Sequence, residues 1–191
     1  MKQLLQTMLL KTIIVFICLS SVNALAGGVY QKPDEFIKQV FNNNPPKAEV
    51  LWLKKDLKKQ ITGILDHKYN GLRIRYWQQN KNSNKKSVWI LDEVGKEKPI
   101  TTGFVINNGQ IELVKVLVFR ESRGWEVRHD FFTDQFKQAK LETDNTLSQS
   151  IDNISGATLS VRAVRKLAKI ALLLDSEIND LEINSLNPNK K

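Results

Sequence analysis

ITTGFVINNGQIELVKVLVF, residues 100–119, decides the fold class of this 191-residue chain. Two runs rich in β-branched and aromatic side chains flank Asn107-Asn108-Gly109. Asn-Gly between such runs is among the strongest short-range hairpin signals, so 100–106 and 111–119 are expected as paired antiparallel strands. Upstream, Leu72, Ile74 and Tyr76 alternate with Arg73, Arg75 and Trp77, the period of a half-buried strand. A polar loop over 78–86 leads to another strand at 87–91, which makes a second hairpin, and a charged connection over 92–99 joins the two. The expected fold is α+β: an antiparallel sheet of about four strands in two hairpins, with helices packed on it.

The helical patterns lie on either side of this core. Phe36, Ile37, Val40 and Phe41 recur at helical spacing, and Asn42-Asn43-Asn44-Pro45-Pro46 stops them. From Ala48 a second pattern runs through Val50, Leu53, Leu57 and Ile61, with a break or transition at Gly63 and Asp66-His67-Lys68. Lys54, Lys55, Lys58 and Lys59 line its other side, which reads as a solvated face, a docking surface being the alternative. Residues 130–138 read as a short helix with Phe131, Phe132 and Phe136 on one side, a stripe of core residues. A polar loop over 141–151 follows. The longest helical pattern then runs from 159 to about 174. Leu159, Ala163, Leu167, Ile170, Ala171 and Leu174 form its buried face, opposite Arg162, Arg165, Lys166 and Lys169. From Asp175 the sequence turns polar, and 177–191 is expected as a fraying tail.

Residues 1–26 carry Lys2 and Lys11, an apolar core and Ala24-Leu25-Ala26, the layout of a cleavable secretory signal peptide. The apolar run is short for a bilayer-spanning helix, which needs about 20 residues. Export to the periplasm is expected, with a retained inner-membrane anchor as the alternative. Cys18 is the sole cysteine, and Val15-Phe16-Ile17 before it does not fit lipoprotein processing. The mature chain would therefore lack disulfides, and it has no ligands for an iron–sulfur cluster or a thioether-bound haem. Cleavage leaves 165 residues, enough for a domain with a sizeable core, and lowers the formal charge from +9 to +7. Export argues against nucleic acid as the partner of that charge; the leading reading of it is simply a soluble basic protein, with a membrane surface or an acidic redox partner left open.

Asp152-Asn153-Ile154-Ser155-Gly156-Ala157-Thr158 stands just ahead of the long helix. Ser155 is a good N-cap residue, Gly156 and Ala157 permit close approach to the backbone, and Thr158 falls in the first turn. Unpaired N–H groups and the helix dipole favour an anion there, such as a phosphate esterified to the hydroxyl. The same residues also make an ordinary helix cap.

This motif, continuing through Leu159 and Ser160, resembles the flavinylation motif of the FMN-binding domain family. That family includes small flavoprotein subunits of the sodium-translocating quinone reductase and of the related ferredoxin-oxidising membrane complex. The resemblance implies FMN joined through its phosphate to Thr158 by a flavin transferase. Ser155, Gly156 and Ala157 complete the motif, and Asp152 is the upstream acid. The central hairpin followed by Glu121 and Gly124 is also similar to the family, as is Gln135-Phe136. Trp125, by stacking, and Arg128, by stabilising an anionic reduced flavin, are candidates for tuning the cofactor; either could equally be structural in the turn. The resemblance covers about 100–175. The chain is thus divided into a signal peptide (1–26), an amino-terminal helical and hairpin portion (27–98), an FMN-binding domain (99–176) forming one compact unit with it, and the tail (177–191).

His67 and His129, the only histidines, lack metal-ligand spacing, and no serine has an evident base. No catalytic residues are assigned. The leading reading is an exported electron-transfer flavoprotein that shuttles electrons between membrane and periplasmic redox partners. The alternatives are a non-redox binding module and a flavin-dependent small-molecule reductase.

Overall fold

The computed structural model describes residues 28–81 and 84–186; the expected signal peptide and residues 187–191 of the tail lie outside them. In chain order the elements are β1 (Gly28–Val29), α1 (Pro33–Val40), β2 (Glu49–Trp52), α2 (Lys55–Leu65), β3 (Arg73–Lys81), β4 (Asn84–Val94), β5 (Pro99–Asn107) and β6 (Gln110–Phe119). A 3-10 turn (Trp125–Arg128), α3 (Asp130–Thr133), a second 3-10 turn (Asp134–Phe136) and the long α4 (Thr158–Leu186) follow.

At the centre, Asn107 pairs with Gln110 across a two-residue loop. Asn108 and Gly109 both have positive φ, 49° and 74°, as a type I′ hairpin turn requires. The Asn108 side chain accepts the Lys85 N–H at 2.9 Å, which ties the turn to β4. The strands form one antiparallel sheet in the order β1-β6-β5-β4-β3-β2.

Alternation divides the side chains between two faces. Trp89, Phe104, Ile106, Val114 and Val116 join the apolar face of α4 and the inner residues of α2 in the main core. Val88, Val105, Leu117 and Val118 meet Phe36 and Ile37 of α1, and Phe41 at its end, on the other face. Gly103 makes the second packing possible: a Cβ there would lie 2.5 Å from the Phe36 ring.

The sheet has six strands rather than about four, and the additions are its edges. β1 is too short to show a period. β2 lies inside the stretch expected as the start of a helix from Ala48. The helical spacing there crosses a strand–helix joint. Val50 and Trp52 are exposed and Leu51 is buried, a period of two, and the helix begins only at Lys55 after the extended Lys54. The helix also runs past Gly63 and stops at Asp66, which is left-handed at φ 60°. The expected loop over 78–86 is mostly hairpin, with Lys81 paired to Asn84.

Other differences lie near the carboxy-terminus. Phe132 and Phe136 are core residues, but Phe131 is 61% exposed and stacks on His129. Leu159 is likewise exposed, while Ala163, Leu167, Ile170, Ala171 and Leu174 are buried as expected. Helix α4 does not fray at Asp175 but continues to Leu186. Asp175 is buried and accepts the Ser87 hydroxyl at 2.5 Å, and Ser87 accepts the Trp89 indole N–H at 2.8 Å. Burial pushes the Asp175 carboxyl upward, opposed by the Ser87 and Asn179 hydrogen bonds and the Lys85 charge. The continuation is tied to the sheet by Asp175, by the buried Ile178 and by Glu182, which accepts from Asn80 and Lys85 at 2.9 Å.

Candidate functional site

Thr158 opens α4 and is exposed. A turn over 154–157 sets it there, closed by the Ala157 N–H on the Ile154 carbonyl at 2.9 Å. Gly156, third in that turn, has φ 80°, which a residue with a Cβ rarely adopts. The Val161 N–H bonds the Ala157 carbonyl at 2.9 Å, so Ala157, not Ser155, holds the N-cap position. Ser155 is an exposed turn residue; the left-handed Gly156 moves the helix start two residues on. Ala157 is buried in the core. Among the described residues the N–H groups of Thr158, Leu159 and Ser160 have no hydrogen-bond partner, as expected in a first turn.

The segment before the motif is held in place. The Asp152 N–H donates to the Gln135 side chain at 2.7 Å, and Gln149 donates to the carbonyls of Gln135 and Lys137. The Asp152 side chain is exposed. Asn153 donates to the Thr158 hydroxyl oxygen at 3.2 Å. The role of this asparagine was not visible from spacing, although the five-residue interval suits a contact across the turn.

Residues after β6 pack against the same helix start. Gly124 has φ 85°, and a Cβ on it would lie 2.5 Å from the Ser160 hydroxyl. Glu121 is 6% exposed, and one of its oxygens accepts the N–H groups of Lys96, Glu97 and Lys98 at 2.5, 2.7 and 2.9 Å. Burial alone would raise its pKa; the Lys98, Glu97 and Lys96 N–H groups and the Lys96 charge outweigh this and hold it below the usual value. Glu121 therefore fixes the β4–β5 loop beside the motif.

Two clefts share Thr158. One, about 520 Å³, is lined by Lys96, Glu121, Ser122, Arg123 and residues 156–160. The other, about 650 Å³, lies between α2 and α4 and is lined by Asn153, Arg162, Arg165, Lys166 and Lys169 among others. Lys166 pairs with Asp66 at 3.0 Å, and this bond together with the Lys166 charge lowers the Asp66 pKa. Trp125 and Arg128 line neither cleft. The Arg128 guanidinium lies over the rings of Tyr30 and Trp125, 4.5 and 4.9 Å from their centroids. Lys96, Arg123 and Arg162 were missed as site residues. Arg162 could have been found one helical turn after Thr158, whereas only the fold brings in Lys96 and Arg123.

The arrangement suits an esterified phosphate. It combines an exposed hydroxyl, free first-turn N–H groups, cations on both sides and clefts with room for an attached group. Residues 95–173 match the model of the FMN-binding domain family.

The matched span includes Lys96, Glu121, Arg123, Thr158 and Arg162, and all the residues of the smaller cleft fall within it. The resemblance read from the motif is borne out. The fold is similar to that of a subunit of the Na⁺-translocating NADH-quinone reductase from Parabacteroides distasonis. The TM-score is 0.50 at 16% identity, covering 72% of this chain and 81% of that one. At this identity the likeness is one of fold. No curated protein matches the chain.

Proposed function

We propose that this protein is an exported electron-transfer flavoprotein. FMN is attached through its phosphate to Thr158 by a flavin transferase, and membrane or periplasmic redox proteins are the partners. The observation that carries the reading is the Thr158 hydroxyl, exposed in the first turn of α4 and shared by two clefts. In the transfer its oxygen would bond phosphorus as the hydroxyl gives up its proton and the flavin donor's bond from that phosphorus to its leaving group breaks, with Asn153 fixing the oxygen's direction. The N–H groups of Thr158, Leu159 and Ser160, with Lys96, Arg123 and Arg162 around them, offset the phosphate charge. Glu121 keeps the Lys96 loop in place while its own charge is taken up by three N–H groups. When bound, the isoalloxazine supplies the exchange of one or two electrons, and the protein supplies position and field. A covalent link keeps the cofactor from being lost outside the cytoplasm.

Co-production with a flavin transferase tests the proposal. The wild type should give a flavin-fluorescent band on a denaturing gel, with the modified peptide containing Thr158 by mass spectrometry. Thr158→Ala should give a dark band at unchanged yield of folded protein. Covalent flavin retained in that variant would move the site elsewhere. A dark wild type, with the transferase active on a control, would remove the covalent-carrier reading.

A further inference from the structure

Among the described residues, nothing like α1 covers the same sheet face over β2 and β3. Helix α1 meets β4, β5 and β6 through Phe36, Ile37 and Phe41, and of the β3 residues only Trp77 packs, in part, against that cluster. Beyond it the face carries Val50, Trp52, Arg73 and Arg75. In register Val50 opposes Arg75 and Trp52 opposes Arg73, while Leu51, Ile74 and Tyr76 point into the main core. Trp52 is 62% exposed, and the Arg73 guanidinium sits 5.6 Å from its ring centroid. Leu72, at the same end of the hairpin, is 67% exposed. Lys47, Lys54 and Lys55 flank β2 and are exposed. Among the described residues none of these five cations forms an ion pair. The one acid within β2, Glu49, accepts the hydroxyl of Tyr76, a residue of the core side.

We propose that this open face, centred on Trp52, Arg73 and Arg75, docks on an anionic phospholipid surface. The exposed charge that β2 and β3 carry on this face is basic, and Asp92, the acid on the same face of β4, is paired with Arg120, which suits a flat anionic layer. A tryptophan with exposed aliphatic neighbours suits the boundary where headgroups meet acyl chains. Arginine and lysine there lay their stems on apolar surface and keep their charges at the headgroups. The face lies across the sheet from α4 and its basic cleft, so docking leaves Thr158 accessible. The inference does not depend on the flavin.

The test uses the full-chain protein as recovered from producing cells, with its N-terminus read by mass spectrometry. Co-sedimentation is measured with vesicles of phosphatidylcholine alone and with 30% phosphatidylglycerol. Binding should be stronger to the anionic vesicles and should weaken as salt rises. Trp52→Ala with Arg73→Glu and Arg75→Glu should lower the anionic-vesicle partition coefficient by at least about tenfold, since each basic residue near such a surface contributes on the order of fivefold. Lys137→Glu with Lys140→Glu, exposed on the α4 side of the sheet, should leave it near the wild-type value. Arg75→Glu alone, a milder change checked by circular dichroism, should give an intermediate loss. Brominated lipid should quench wild-type tryptophan fluorescence more than that of Trp52→Phe. Equal binding to neutral and anionic vesicles would overturn the proposal, as would unchanged binding by the folded triple variant. Retention on poly-glutamate through the same residues, without vesicle binding, would assign the face to an acidic protein instead.

Discussion

Glu121 shows how one buried carboxylate can hold a whole loop in place beside a cleft. Three N–H groups of the β4–β5 loop converge on it, and that loop supplies Lys96 to the Thr158 cleft. Glu121→Ala should leave those donors without their acceptor and cost about 1–3 kcal/mol in urea unfolding at neutral pH. The pH dependence has a definite sign. The folded-state pKa is lowered, so the contribution is complete above the unfolded value near 4.5 and is lost as pH falls through the folded value. Glu121→Gln keeps an acceptor but cannot titrate, so the part of the acid-induced stability loss due to this group should disappear from its pH profile. At this scale the place of Thr158 in the first turn of the long helix was legible because the residues that set it are its sequence neighbours. The three-fold acceptor role of Glu121 was not, because its donors belong to another loop. Ser155 was misjudged as the N-cap because a left-handed Gly156, rather than the best capping side chain, sets the helix start.

Elements meet here through small residues at crossings. Gly103, in the centre of β5, admits the edge of Phe36 from α1. Gly103→Val should overpack that contact and destabilise the protein by about 1–3 kcal/mol, read as a lower urea midpoint with an unchanged slope. If stability is unaffected, the α1 packing is not tight. The hairpins and the periodic helices were legible because their signals are local: a turn pair, a period of two, a period of 3.6. Edge strand β2 was not, since four residues leading straight into a helix blend into the helical spacing. The far end of α4 was hidden for a different reason. Asp175 looks like a surface acid in sequence, and only Ser87 and Asn179 explain its burial.

On the scale of the molecule, the sheet runs through the amino-terminal end of the family match. Strands β5 and β6 lie within 95–173, but β4, which pairs with β5 from Lys86↔Asn107 to Val94↔Pro99, lies outside it. Trp89 of β4 is fully buried beneath α4 in the main core. Residues 95–173 made alone should therefore fail to give a cooperative thermal transition, whereas residues 28–191 should give one by circular dichroism. A cooperative transition in the shorter piece would mean that β2–β4 are dispensable to the core. By itself, the sequence determined the α+β class, the central hairpin, the long helix and the threonine at its start. Each rests on interactions among residues close along the chain. Only the tertiary structure decided the edge strands, the burial of Asp175, the Glu121 lock and the gathering of Lys96, Arg123 and Arg162 around Thr158. These depend on which distant segments the sheet and α4 bring together, and no local period or propensity encodes that.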